Sequence, residues 1–471
     1  MQKKDWMLSL SPRPYTLVNR TEPDLMREQF PYTAPPRITF DGVQVPLNPA
    51  ANLVITDTTF RDGQQARTPY TVEQILDLFD FLHRLSGPKG LIRQSEFFVY
   101  SKKDREAIRR CQERGYKYPE ITAWIRATRK DFQLVKEMEI PETGILTSCS
   151  DYHIYSKLGL DRQRAMMQYV DVVAAALEAG IRPRCHFEDL TRADIYGFVV
   201  PFAQTLMSMS EESGIPIKIR MCDTMGYGVT YPGATLPRSV PRLVHALIHE
   251  AGVPGEWLEW HGHNDFHKGL INATTAWLYG CSAVNGTLLG FGERTGNTPI
   301  EALVIEYMSL TGDDSIDTTV ITEIADYFRE ELNYDIPPMT PFIGRQFNVT
   351  SAGVHVDGLL KDEEIYNIFD TKALLNRPLG VNVTDKAGAA GVAFWVNRKL
   401  GLNGEARIDK RHEGIMAMTE WVKQQYEDGR TTSLSEEEML AAAEQYLPEY
   451  FGNGKYKISA KRESAASKKT S

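Results

Sequence analysis

Eight short, β-rich apolar runs recur along this sequence, and longer stretches of helical periodicity separate them. The runs fall near 52–57, 91–99, 120–126, 144–149, 181–188, 215–223, 257–263 and 283–290. Between them, segments such as 72–85 and 162–179 repeat apolar residues at the three- and four-residue intervals that give a helix one buried face. A strand followed by a helix, repeated eight times over roughly 260 residues, is the count of a (β/α)8 barrel. A doubly wound open sheet would show the same alternation. The rhythm therefore predicts an α/β fold, with the TIM barrel as the preferred form.

The flanks read differently. Residues 1–50 are rich in proline and aromatics, and Ile38–Val45 alternates around Asp41-Gly42, a hairpin signal. This part is expected to be an arm or lid over the main domain, or an arm that contacts a partner. The catalytic barrel is expected over 51–310. Beyond about 311 the rhythm stops: Ile321, Ile324, Phe328 and Leu332 mark an amphipathic helix, and Ser435-x-x-Glu438 is a capping box that opens another. A mainly helical C-terminal region is thus expected over 311–455, with a polar, lysine-rich tail over 456–471 expected to be disordered.

Composition excludes several function classes. A net charge of −9 argues against nucleic acid as the main ligand, since phosphate binding needs a basic face. No apolar run reaches the ~18 residues of a membrane span, and the first residues lack a signal-peptide core. The five cysteines are scattered and odd in number, which suits free thiols in a reducing cytoplasm.

Barrel chemistry sits at the C-terminal ends of the strands, where side chains two apart share a face. The seventh run ends in His261-Gly262-His263, a ready pair of imidazole ligands for a divalent metal. The first ends in Asp57-Thr58-Thr59-Phe60-Arg61-Asp62, where a carboxylate can complete a two-histidine, one-carboxylate set and Arg61 supplies a cation for a developing oxyanion. A structural Arg–Asp pair would look the same. The fifth run sets Arg184, His186 and Glu188 on one face: Arg184 suits a substrate carboxylate, and Glu188 could act on protons or orient substrate. Glu96 in the second run and Thr224 after the sixth are individually nonspecific. The glycines of Gly290–Asn297 admit either close approach of a phosphate or a tight, ligand-free turn.

Asp57–Gly63, His261–Asp265 and Gly292–Asn297 together resemble the motifs of the DRE-TIM metallolyases, in the same order and on different strands. Within that family they are similar to the Claisen-condensing branch of isopropylmalate, homocitrate, citramalate and Re-type citrate synthases. The resemblance runs from about 51 to about 395. It implies that Asp62, His261 and His263 hold a divalent metal (Mn2+, Co2+ or Mg2+), with Asn297 as a further or water-mediated ligand. It also implies that Arg61 polarises the 2-oxo group, that Arg184, Glu96 and Thr224 contact the 2-oxo acid, and that Gln65 sits nearby. Glu188 matches an acidic position that serves as base or orienter. Ser351–His355 resembles the family's Ser-Gly-Ile-His segment, and Tyr366 follows at a matching distance. Such a His and Tyr reach into the partner subunit's site, which implies a homodimer.

Several departures are most similar to the Re-type citrate synthases: Phe60 for leucine, Gln64 for glutamate, His186 for serine, and the segments 97–104 and 379–386. A second substrate carboxylate needs extra cationic groups, and Arg126, His186 and Arg220 are expected to supply them. The implied reaction condenses acetyl-CoA with oxaloacetate to give citrate, His355 with Tyr366 serving as the base, helped or replaced by Glu188. Other synthases of the branch, and a silent sensor of a metal–2-oxo acid complex, are the alternatives.

Overall fold

The computed structural model describes residues 13–126 and 128–452. Its strands are β1 (Val54–Asp57), β2 (Ile92–Phe98), β3 (Glu120–Ile125), β4 (Glu142–Ser148), β5 (Arg182–Glu188), β6 (Lys218–Asp223), β7 (Leu258–Gly262) and β8 (Ala283–Gly286). They pair in chain order, all parallel, and β8 closes on β1 with Val54 opposite Ala283 through to Asp57 opposite Gly286. That closing pair makes the sheet a barrel rather than an open, doubly wound one.

The intervening helices are α1 (Val72–Ser86), α2 (Lys102–Gln112), α3 (Phe132–Glu137), α4 (Arg162–Glu178), α5 (Val200–Ser213), α6 (Val240–His245), α7 (Gly269–Leu278) and α8 (Ile300–Thr311). Their ends follow from local chemistry. Thr71 opens α1 with a capping box: its hydroxyl accepts from the Gln74 amide at 3.2 Å, and the Gln74 side chain accepts from the Thr71 amide at 3.0 Å. Along α1, Ile75, Leu76, Phe79 and Leu82 are buried, each contributing about 1.5–3 kcal/mol. Gly214 and Gly312 stop α5 and α8 in the left-handed conformation, which costs glycine nothing.

Residues 13–50 form no hairpin. Phe40 makes a single antiparallel bridge to Ala234, the Asp41 carboxylate accepts from the Val43 amide at 3.0 Å, and Arg242 binds that carboxylate at 2.8 Å. The Asp-Gly turn thus directs its polar groups to the β6–α6 connection and not to a second strand of its own. The arm rests on the barrel through buried Phe30 and Val45 and a stacked Tyr15–Tyr196 pair.

The chain divides into two compact units, one ending at Val320 and one starting at Ile321. The first extends past 310: Ile316 is buried beside Gly87, and Asp313 pairs with Lys89 at 3.0 Å. The second carries α9 (Val320–Glu330), α10 (Gly353–Lys361), α11 (Thr371–Leu375), α12 (Gly388–Lys399), α13 (Glu413–Glu427), α14 (Glu436–Tyr446) and α15 (Pro448–Phe451). Two short strands, β9 (Val349–Thr350) and β10 (Gly380–Val381), pair in parallel. Val396, Ile415, Met418, Ala443 and Leu447 form its core, and Ser435 and Glu438 complete the capping box that the sequence signals. The tail expected over 456–471 lies outside the described residues. Among the described residues no helix is long and apolar enough to cross a membrane.

Candidate metal centre and active site

β7 ends at Gly262, and side-chain alternation brings His261 and His263 to one side of the barrel rim. There a wide turn of helix after β1, Thr59–Gly63, presents Arg61 and Asp62. The Nε2 atoms of His261 and His263 stand 3.4 and 3.9 Å from the same Asp62 oxygen. These gaps are too long for good hydrogen bonds. They are close to the separation of two ligand atoms sharing an ion, each bonded at about 2.1 Å. One ligand atom from each residue lies within 4.8 Å of the others, and all three residues are buried.

Asn297 donates to that Asp62 oxygen at 3.0 Å, while its own Oδ1 is buried without a hydrogen-bond partner among the described residues. An orphaned buried acceptor beside two imidazoles and a carboxylate suits a cation or its bound water. Burial, followed by the neighbouring His263, lowers His261 to about 3, and burial likewise lowers His263. Both rings are therefore neutral at ordinary pH, with lone pairs available. Burial works to raise the Asp62 carboxyl, but the Arg61 guanidinium, with the Asn297 hydrogen bond, outweighs it and holds the carboxyl below its usual range. The donor set fits a divalent metal.

Asn285, on β8, orients His261. Its amide nitrogen donates to Thr56 at 2.9 Å (Oγ1) and 3.2 Å (backbone O), which leaves its oxygen to accept from His261 Nδ1 at 2.7 Å. Nδ1 then carries the proton, and Nε2 faces Asp62.

Beneath the rim the barrel interior is ionic. Arg61 Nε donates to Glu96 at 2.8 Å, and Glu96 also receives Arg184 and Arg220, each at 2.9 Å. Arg184 further reaches Glu142 at 3.2 Å, Gln94 at 3.0 Å and Thr122 at 3.2 Å. Arg220 reaches Glu259 at 2.9 Å, and Glu259 accepts from Thr56. Burial alone would raise Glu96, yet the Arg220 and Arg61 guanidiniums hold it well below the usual carboxylate range.

This network alters three sequence expectations. Arg184 and Arg220, 1 % and 0 % exposed, have their guanidinium forks engaged by glutamates from neighbouring strands, so neither offers a free fork to a substrate carboxylate. His186 lies 3.4 Å from Glu96, and burial lowers it to about 3, so it is a neutral imidazole rather than an extra cation. Gly144 admits it: a Cβ there would stand 2.5 Å from His186 Nε2.

The remaining expected residues are distributed as follows. Thr224 Oγ1 accepts from the Asp189 amide at 2.8 Å, and Gln65 is exposed just past Asp62. Glu188 is bound by His153 at 2.9 Å, by Lys157 at 2.9 Å and by Ser148; burial would raise it, but His153, Ser148 and Lys157 bring it to about 2. Arg126 is exposed, over the Tyr100 ring and 3.3 Å from Asp131. His355 and Tyr366 belong to the second unit, where their exposed rings face each other at 4.4 Å.

The sequence reading did not single out Asn285, Thr56, Glu142, Glu259, His153 or Lys157. Glu259 had a signal, because it shares a strand face with His261 two residues on. Asn285 had a weaker one, a lone amide inside a barrel strand.

Residues 52–328 match the HMGL-like family. The chain is 60 % identical over 446 residues to a citrate (Re)-synthase of Syntrophus aciditrophicus, covering 94 % of this chain and 71 % of that one. It is 51 % identical over 436 residues to a citrate (Re)-synthase of Clostridium kluyveri, covering 92 % of this chain and 96 % of that one. A 2-phosphinomethylmalate synthase of Streptomyces hygroscopicus is 34 % identical over 91 % of this chain and 98 % of its own. With its motif order, closed barrel and these relatives, the chain belongs to the HMGL-like, or DRE-TIM, family and within it to the citrate (Re)-synthase group.

Proposed function

We propose that this chain joins the methyl carbon of acetyl-CoA to the 2-carbon of oxaloacetate and releases citrate and CoA. The observation that carries this reading is the 60 % and 51 % identity, over nearly the whole chain, to two citrate (Re)-synthases. Asp62, His261 and His263 hold the cation, with Asn297 beside them. A bound Mn2+, Co2+ or Mg2+ ion would act as Lewis acid and template for the acceptor's 2-oxo and carboxylate oxygens.

Arg61, fixed through Nε by Glu96, turns its remaining N–H groups to the ketone oxygen that gains charge. His355, with Tyr366 against it, takes the methyl proton and reaches the partner's site in a homodimer. Glu188, at about 2 and held by hydrogen bonds from Ser148 and Lys157, is too weak a base for that step and serves to orient. The new carbon–carbon bond converts the ketone oxygen to an alkoxide that takes up a proton. Water then splits the thioester, leaving the third carboxylate of citrate and the CoA thiol. Arg184 and Glu96 act through Arg61, and Thr224 and Gln65 lie at the substrate side. Of the three groups expected at the second substrate carboxylate, Arg126 is the one that stays charged and exposed. Five free, buried cysteines suit a cytoplasmic enzyme.

The test is product analysis with acetyl-CoA and a series of 2-oxo acids. Thiol release with oxaloacetate, citrate as product, and loss of turnover on chelation with recovery on adding Mn2+ are expected. Turnover of 2-oxoglutarate or 2-oxoisovalerate in preference to oxaloacetate would contradict the reading.

A further inference from the structure

Strand register sets Thr56 of β1, Asn285 of β8 and His261 of β7 in one row across the barrel interior: Thr56 lies opposite Asn285, and Asn285 opposite His261. Glu259, two residues before His261 on the same face of β7, sits one layer deeper, with Arg220 of β6 opposite it. A metal ligand and a glutamate are thus stacked on one strand, and each is reached from a different neighbouring strand.

Hydrogen bonds join the two layers into one buried circuit. On one side, the Thr56 hydroxyl donates to Glu259 Oε1 and accepts from the Asn285 amide at 2.9 Å, and the Asn285 oxygen accepts from His261 Nδ1 at 2.7 Å. On the other side, Arg220 Nη2 donates to that same Glu259 oxygen at 2.9 Å, and Arg220 Nη1 donates to Glu96 Oε2 at 2.9 Å. This Glu96 oxygen also accepts from Arg61 Nε at 2.8 Å. One oxygen of Glu259 and one of Glu96 therefore link a metal-binding imidazole to the guanidinium aimed at the ketone. Glu259, Arg220 and Glu96 are all buried, so water does not replace a partner that moves away. Balancing charge would require of Glu259 only its pairs with Arg220 and with Arg184, the latter at 3.4 Å. The bond from Thr56 to the oxygen that holds Arg220 is what ties it to the metal side.

We propose that Glu259 is a positioning residue shared by both halves of the site. Through Thr56 and Asn285 it fixes the His261 ring for the metal, and through Arg220 and Glu96 it fixes Arg61 for the ketone oxygen. The inference rests on the proposed metal centre and on Arg61 meeting the charge that develops there.

Glu259→Asp keeps the buried charges balanced but withdraws the carboxylate by about 1.5 Å, one carbon–carbon bond, so that its oxygen cannot serve Thr56 and Arg220 together. In E259D, Mn2+ affinity measured by calorimetry should fall about tenfold, as when other groups that orient a metal ligand are lost. At saturating Mn2+, kcat should fall about tenfold or more while KM for oxaloacetate stays within about threefold, because Arg61 acts on charge present in the transition state. Thr56→Val cuts only the metal side. It should lower Mn2+ affinity by a similar factor, and adding E259D to T56V should lower affinity no further while still lowering kcat. Wild-type affinity or wild-type kcat in E259D, or additive losses of affinity in the double variant, would overturn the proposal. If E259D does not fold, T56V decides alone: wild-type Mn2+ affinity there would overturn it. Mn2+ titration needs no turnover, so failure of this coupling and failure of the condensation are separate results.

Discussion

Because Thr56 engages the Asn285 amide nitrogen, the amide oxygen is left for His261 Nδ1, and the ring presents its Nε2 lone pair where Asp62 and His263 converge. Losing such an orienting partner typically weakens a metal site by 10–100-fold. Asn285→Ala should therefore lower Mn2+ affinity by about that factor in a calorimetric titration while the thermal transition stays within a few degrees of wild type; unchanged affinity would remove Asn285 from this role. A second prediction concerns Glu301, at the start of α8, which burial raises from 4.5 to about 7. A carboxyl raised on folding binds its proton more tightly in the folded chain, so stability declines as pH climbs from 4.5 through about 7. The full shift corresponds to about 3 kcal/mol. Glu301→Gln, which can still accept from the Leu289 amide, should gain on wild type by up to that amount at pH 8 and by little at pH 4.5 in urea denaturation. A pH-independent difference would contradict it. At this scale the sequence revealed the two histidines, because a spacing of two on a strand means one face. It did not reveal that Arg184 and Arg220 are internally paired, because their partners come from strands far away in the chain.

The eight strands and most helices were legible because apolar alternation and helical periodicity are local signals, and the Ser435–Glu438 box was read correctly for the same reason. The Asp41-Gly42 hairpin was misread because the same local signal also serves a loop whose bonds run to Arg242 and Ala234. The Gly290–Asn297 glycines were ambiguous, and the structure gives them a packing role: a Cβ on Gly292 would stand 2.6 Å from the Asn297 side chain, and one on Gly296 2.1 Å from the Gly290 carbonyl. Between the strands, the ionic layer of Arg184 and Arg220 with Glu96, Glu142 and Glu259 takes the place of an aliphatic one. Removing one partner from such a layer leaves buried charge uncompensated and costs about 3–5 kcal/mol. Arg184→Met should lower stability by about that amount in urea denaturation, whereas a loss under about 1 kcal/mol would mean that the layer rearranges freely.

At the scale of the whole molecule, the proposed site combines a barrel with a His–Tyr pair from the second unit of a partner chain. Two inactive variants then complement each other. When His261→Ala and His355→Ala chains are dissociated together and reassociated, half the dimers are mixed and each mixed dimer has one intact site, so about a quarter of wild-type turnover should return. Absence of any recovery, with mixed dimers shown to form, would place His355 in its own chain's site or outside the chemistry.

Every step proposed above rests on Asp62, His261 and His263, whose ligand atoms lie within 4.8 Å of one another, sharing one ion. Mn2+ titration of metal-free chain followed by electron paramagnetic resonance tests it most directly. One tightly bound ion per chain is expected in the wild type and none in the Asp62→Ala/His261→Ala/His263→Ala variant. Equal binding by the two would contradict the account.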